Sequence, residues 1–458
     1  MTPRRWTWVV TAIALTARLA VALSCANRFP PAGDGTYFDA LARRLAHGDG
    51  YTWLWPDGAV TYASHYPVGY PALIALAYRL LGSGPGGGML VNALVGALGV
   101  FAAHRLALEA MSARRASIAA LVVAFHPALV PYTAAIMTEG VTASLLVAAA
   151  ALAARARRHR RPCLWRCAAG LVMGMATLVR PQSLLLAPVL GVLSMRGRAR
   201  RRAGAAVVLT AVSLLCCAPW TLRNCVRMQR CALVSVNGGW NLLIGAETDS
   251  GAWAPVVVPE ECKTVWAEAA KDSCFEQIAR STIAAAPWRW LGRVPSKLAA
   301  TFDYIGAAPW YLHLSNPAAF DAQDKVVLGV IETVTTRALL LLALRAVARL
   351  DARRRTPRQV VAAAGALFTV TLHAWVGYVS LVVCLALLGR RMLARAPVVL
   401  SFAGSVVLAT ALTHAVFFGA GRYGLVTLPF VALVALLPKG ALRASAGHGN
   451  VPSSTPPR

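Results

Sequence analysis

Acidic side chains are scarce in this chain: 18 Asp and Glu stand against 46 Lys and Arg in 458 residues, and charged residues of all kinds make up only 14%. The rest is 57% hydrophobic with a mean hydropathy of +0.57. Apolar runs of about 20 residues recur, each long enough to cross a hydrocarbon layer about 30 Å thick. A single soluble core is excluded, because such cores stop growing near about 250 to 300 residues. The net charge of +28 and pI near 10.9 do not indicate a nucleic-acid partner, since the basic residues cluster in short loops between apolar runs. The glycine run from Gly82 to Gly88 lacks the Lys-Ser/Thr of a phosphate-binding loop and reads as a flexible link. No His-x-x-x-His pair and no Ser/His/Asp arrangement stands out, so neither a metal nor a cofactor is expected.

The arginines predict the topology. Clusters at Arg4-Arg5, Arg114-Arg115, Arg155 to Arg161, Arg196 to Arg202, Arg353 to Arg358, Arg390 to Arg395 and Lys439 to Arg443 all lie in the cytoplasm under the positive-inside rule. Twelve spans satisfy them: 6–25, 88–108, 116–133, 137–154, 165–179, 183–195, 203–221, 326–349, 359–373, 375–389, 397–418 and 424–438. The expectation is an all-α polytopic membrane protein over 1–438, with outer loops at about 26–87 and 222–325 that are partly mixed α/β, and a cytoplasmic tail, 439–458, without order. Ala20-Val21-Ala22 has the form of a signal-peptide cleavage site, but Arg18 interrupts the apolar stretch before it, which favours a retained anchor. The segment from Pro67 to Leu81 is left out of the count, because including it would invert every later loop; it is expected to lie along the outer interface.

The acids fall on the same side. Asp34, Asp39, Asp49 and Asp57 lie in the first outer loop, and ten more, including Glu268 and Asp272, lie in the second. Ionisable groups gathered at one surface favour chemistry there over a conduction path through broken midplane helices. After Gly33, the positions Phe38, Leu41 and Leu45 repeat at helical spacing and Gly48 suits a left-handed helix end, so Asp34 is expected to be an N-cap held ionised by the helix dipole. Arg180, Arg223 and Arg422, the last beside Tyr423, end or begin spans on the outside and suit bidentate contact with a phosphate. Glu139 opens the fourth span, where a lipid-facing acid is costly, so it should face a wet or paired site. In an oxidising outer compartment Cys262 can pair with Cys274, and Cys225 with Cys231.

Read in order, the early Asp34, then His65-Tyr66-Pro67-Val68-Gly69-Tyr70-Pro71, Met137-Thr138-Glu139, Arg180-Pro181-Gln182, Pro219-Trp220-Thr221-Leu222-Arg223-Asn224, Asn237-Gly238-Gly239-Trp240-Asn241-Leu242 and Gly421-Arg422-Tyr423 form a set. That set resembles the C-type (GT-C) integral-membrane glycosyltransferases, related to protein O-mannosyltransferases, aminoarabinose lipid A transferases and the Rhizobium lipopolysaccharide transferases. The resemblance spans nearly the whole chain. It implies a polyprenyl-phosphate sugar donor, a cell-envelope acceptor, inversion at the sugar carbon, and a site facing the periplasm or exterior of a bacterial inner membrane. Two departures matter: many relatives carry Asp-Glu where this chain has Asp34-Gly35, and Arg-Pro-Glu where it has Arg180-Pro181-Gln182. The role of the second acid is therefore absent here or passes to Asp39 or Glu139.

These readings combine into one expectation. Asp34 and Glu139 are the catalytic candidates, while Asp39, His65, Tyr66, Arg180, Arg223, Arg422 and Tyr423 are candidates for substrate binding. The partners are a lipid-linked sugar, an envelope acceptor and membrane lipids, with no nucleic acid. The competing reading is a flippase or transporter of lipid-linked oligosaccharide, which internal repeats with polar midplane helices would favour.

Overall fold

The computed structural model describes residues 2–350, 355–371, 373–389, 392–393, 396–439 and 441–442. Most of the expected tail, from 443 onward, lies outside these residues, as do Arg353 and Arg354 and most of the basic group from Arg390 to Arg395. Helices dominate, and seven of them are long and apolar enough to cross a membrane: Pro3–Cys25, Pro85–Ala107, Glu139–Ala156, Pro162–Val179, Ala199–Arg227, Ala322–Ala348 and Val398–Val416. The chain is therefore a multi-pass membrane protein.

The other five expected spans fall on shorter helical segments, Ala113–Ala124, Pro181–Leu193, Arg355–Val370, Ala374–Ala386 and Gly421–Ala435. At 1.5 Å per residue none of these reaches across about 30 Å alone. The segment kept out of the count forms a short helix, Gly69–Leu81.

Small residues let the helices approach. A Cβ on Gly170 would meet Val212 Cβ at 2.8 Å and one on Gly174 would meet Cys216 Cβ at 2.5 Å, so these glycines, one turn apart, seat Pro162–Val179 against Ala199–Arg227. That seat matters for function, because Arg180 is the C-cap of the first helix of the pair. Gly86, Gly87 and Gly88 belong to the first turn of Pro85–Ala107, which corrects the flexible-link reading. Their role is packing: a Cβ on Gly88 would fall 2.5 Å from Ile136 Cδ1.

Strand structure is confined to the first outer loop among the described residues. Thr52–Leu54 pairs antiparallel with Val60–Tyr62, with Trp53 opposite Thr61. The second outer loop is not mixed but helical, running through Gly238–Glu247, Glu260–Lys263, Glu268–Ala285, Pro287–Gly292, Val294–Phe302 and Ala307–Ser315, with one isolated bridge from Ala252 to Gly419. Both expected disulfides, Cys225–Cys231 and Cys262–Cys274, are formed. The second ties the short helix Glu260–Lys263 to the long one beside it, within a small core of Leu243, Ala246, Phe275 and Ala279.

Candidate functional site

Asp34 begins the helix Asp34–His47, but it is the first helical residue and not the cap. The cap is Gly33, at φ 56°, a conformation in which Asp would be strained. With no capping bond to make, the carboxylate turns to other partners: Arg422 Nη2 lies 2.7 Å from Oδ2, and the Tyr66 hydroxyl donates to Oδ1 at 3.3 Å. The side chain stays 35% exposed, open to the space in front of it. Burial by itself would raise the Asp34 carboxyl, but the charge and hydrogen bond of Arg422, helped by Tyr66 and His65, hold it below the usual carboxylate range.

Arg422 connects this carboxylate to a second one. Its Nε lies 3.6 Å from Glu139 Oε1, and Arg180 Nη1 lies 3.0 Å from the same oxygen. Glu139 is 2% exposed, and its other oxygen accepts the Tyr132 hydroxyl at 2.8 Å. The expected paired environment of Glu139 is thus present. Arg180 Nη1 is buried against Glu139 but makes no aligned hydrogen bond to it, so the contact is an ion pair. Both guanidinium groups rest on Tyr423, with Arg180 4.8 Å and Arg422 5.1 Å from the ring centroid. His414 stacks on that ring at 4.2 Å and is fixed through Nδ1 and the Phe418 carbonyl oxygen.

Asp34, Tyr66, Glu139, Arg180, His414, Arg422 and Tyr423 line one cavity of about 770 Å³. Its polar end holds Asp34, His65, Tyr66, Glu139, Arg180 and Arg422. Leu184, Leu185 and Pro188 form an apolar flank between helices, while Asn237, Trp240, Asn241 and Trp253 come from the outer helical unit. Burial pushes the His65 imidazole below its ordinary value despite the pull of Glu268, Asp272 and Asp34.

Two expected site residues lie elsewhere. Asp39 pairs with Arg43 at 2.7 Å and accepts the Tyr78 hydroxyl, so it clamps Asp34–His47 to Gly69–Leu81 and does not reach the cavity. Arg223 donates to the backbone oxygens of Ala63 and Tyr51 at 2.8 and 2.9 Å and stacks on Trp220. Its five N–H donors suit converging carbonyls as well as a phosphate, and the first loop supplies the carbonyls. Packing also bears on the position after Asp34. A side chain at Gly35 would meet Ile136 O and Tyr311 Oη, both at 2.9 Å, so the position has no room for an acid; among the described residues Glu139 is the other carboxylate that lines the cavity.

Three supporting residues carry no signal in the sequence. Tyr132 orients Glu139. Tyr311 accepts the backbone N–H groups of Ala32 and Ile136, drawing the segments before Asp34 and Glu139 together. Glu268, from the outer unit, accepts the N–H groups of Ser64 and His65 and the Trp53 indole, and so holds His65 and Tyr66 over the cavity. Neighbouring Asn224 accepts the Ser64 hydroxyl at 3.1 Å.

Residues 65–222, roughly a third of the chain, match the family described as dolichyl-phosphate-mannose-protein mannosyltransferase. The resemblance to C-type membrane glycosyltransferases drawn from the motif order is borne out by this match, which contains His65, Tyr66, Glu139 and Arg180. No curated protein sequence matches. Among solved structures, the archaeal oligosaccharyltransferase AglB from Archaeoglobus fulgidus, in complex with an inhibitory peptide and a dolichol-phosphate, aligns over 95% of this chain at 13% identity and a TM-score of 0.47. This chain covers 50% of that protein, about half its length. ArnT from Cupriavidus metallidurans in the apo state aligns over 95% of this chain and 78% of its own at 17% identity, with a TM-score of 0.41. The same protein bound to undecaprenyl phosphate aligns at 16% identity over 97% and 78%, with a TM-score of 0.39.

Proposed function

We propose that the protein is an inverting glycosyltransferase that moves a sugar from a polyprenyl-phosphate donor to an acceptor hydroxyl at the outer membrane face. One observation carries the reading: an ionised, cavity-facing carboxylate, Asp34, pairs with Arg422, and Arg180, which shares Glu139 with Arg422, lines the same polar end of a cavity with an apolar flank. The donor has the matching parts, a charged phosphate for the arginines and a hydrocarbon chain for Leu184, Leu185 and Pro188.

The reaction balances without a further reagent. The acceptor oxygen attacks the anomeric carbon from the face opposite the phosphate, Asp34 takes the hydroxyl proton, and the bond from the anomeric carbon to the phosphate oxygen breaks. The departing polyprenyl phosphate carries the electron pair and is stabilised by Arg180 and Arg422. Glu139 acts on the arginines and not on substrate: held by Tyr132, it sets their spacing and keeps both charged heads aimed at the phosphate. The outer unit, through Asn237, Trp240, Asn241 and Trp253, forms the acceptor wall. In this reading twelve segments cross or enter the bilayer, the arginine clusters face the cytoplasm, and the cavity faces the periplasm or exterior of a bacterial inner membrane.

Purified protein assayed against a panel of polyprenyl-phosphate sugars, with Asp34→Ala as the control, tests the proposal. Transfer from at least one donor that vanishes in the variant is expected. Equal transfer by the two proteins would refute the role of Asp34, and lipid-linked sugar crossing vesicle membranes without transfer would favour the flippase.

A further inference from the structure

A second concentration of guanidinium groups lies at the opposite end of the bundle, where glycosyl transfer does not use it. The helix Glu139–Ala156 runs 18 residues, about 27 Å, from the cavity to Arg157. There Arg157 Nη1 lies 3.6 Å from Glu109 Oε1, with side chains only 1% and 3% exposed. Arg157 also donates to the carbonyl oxygens of Leu193 and Ala396, and Arg158 donates to that of Glu109. Arg196 and Arg202 lie within electrostatic reach of Arg157. Among the described residues, Glu109 is the only carboxylate ion-paired with any of these four cations. Arg157 Nη2 and Arg196 Nε are buried without a hydrogen-bond partner.

The imbalance continues into the next helix. Arg198 caps Ala199–Arg227, and Arg200, Arg201 and Arg202 fill its first turn. Cations at the positive end of a helix dipole are unfavourable unless an anion is near. Arg202, whose Nε donates to the Val192 carbonyl oxygen at 3.5 Å, also lines a groove of about 410 Å³ whose walls include Leu193, Leu385, Leu393, Leu408 and Ser405. We propose that this groove binds an anionic phospholipid, with one acyl chain between Ala374–Ala386 and Val398–Val416 and the phosphate on Arg202 and the surplus cations beside it. A soluble anion would satisfy the cations and leave the apolar wall uncovered. A peptide would bring unpaired N–H and C=O groups against that wall, at a cost. A phospholipid satisfies both, and basic pockets between membrane helices favour anionic headgroups on general grounds.

Native mass spectrometry of the full chain in detergent, supplied with phosphatidylglycerol or with phosphatidylcholine of the same acyl chains, tests the site. Wild type should retain phosphatidylglycerol in preference, and Arg202→Ala should lower that retention about fivefold, the effect of removing one cation near a phosphate. Ser405→Trp, which fills the groove and keeps every cation, should lower retention of both lipids. Equal retention of the two lipids by wild type would overturn the proposal, and that comparison does not depend on whether a variant folds. Undiminished retention by folded Ser405→Trp would overturn the groove as the site. Thermal stabilisation by inorganic phosphate equal to that by phosphatidylglycerol would show a simple anion site in place of a lipid site. None of these readouts involves sugar transfer, so the lipid site stands or falls apart from the proposed enzyme activity.

Discussion

Asp34→Asn separates chemistry from architecture more cleanly than any other single change. Asn keeps the shape of the side chain and accepts the Tyr66 hydroxyl, now at 3.3 Å from Oδ1, but it cannot take a proton at neutral pH. No capping bond is lost, because Gly33 and not Asp34 caps the helix. What is lost is the ion pair with Arg422 at 2.7 Å, and with 35% of the Asp34 side chain exposed that pair contributes about 1 kcal/mol at most. Arg422 retains Glu139 at 3.6 Å and the Tyr423 hydroxyl at 3.2 Å, so the phosphate site should stay assembled. Loss of a general base costs about 10² to 10⁴ in rate. The expected result is a protein that inserts, shows nearly unchanged thermal unfolding and binds donor lipid, while single-turnover transfer falls by at least about a hundredfold. Transfer within tenfold of wild type would refute the base assignment, and Glu139 would be the remaining carboxylate in the cavity.

Arg422→Gln removes the charge that holds the Asp34 carboxyl down and leaves burial to raise it. Because a depressed carboxylate stays ionised until pH falls through its folded value, the acid limb of the pH–rate profile should move upward in this variant; an unmoved limb would contradict the coupling. Glu139→Gln keeps the Tyr132 contact but leaves Arg180 and Arg422 without their shared counter-charge, and a loss of about 1 to 3 kcal/mol in unfolding free energy is expected, read by chemical or thermal unfolding in detergent. Replacing Cys262 and Cys274 by Ser opens a loop with a sequence separation of 12 and should cost the outer unit about 3 kcal/mol, seen as faster proteolysis between 238 and 285. A reporter fused after Arg158 should be cytoplasmic and one near Glu261 external, and the reverse at either point would overturn the proposed orientation.

Several features were legible before any coordinates because they depend on short-range physics. Apolar length and loop charge set where helices begin and end, so all seven long helices coincide with expected spans. Gly48, expected as a left-handed helix end, has φ 92°. The two cysteine pairs follow from proximity in sequence within one loop. Asp34, Glu139, Arg180 and Arg422 were identified by type and by position at helix ends, and they meet in one cavity.

Tertiary structure decided the rest, because charge and residue type do not encode direction. Asp39 lies five positions after Asp34 on the same helix, yet it turns to Arg43 and Tyr78, since a helix rotates about 100° per residue and those two positions face different neighbours. Arg223 looks like a phosphate ligand until the first loop folds beneath it and offers two carbonyl oxygens. Tyr132, Tyr311 and Glu268 act across separations of 7 to 279 residues. The amino-acid sequence determined which segments are long and apolar enough to span a membrane and which ionisable groups stand at helix ends. Only packing determined which of those groups share a cavity, because burying a charge is tolerable solely where other segments bring it a partner.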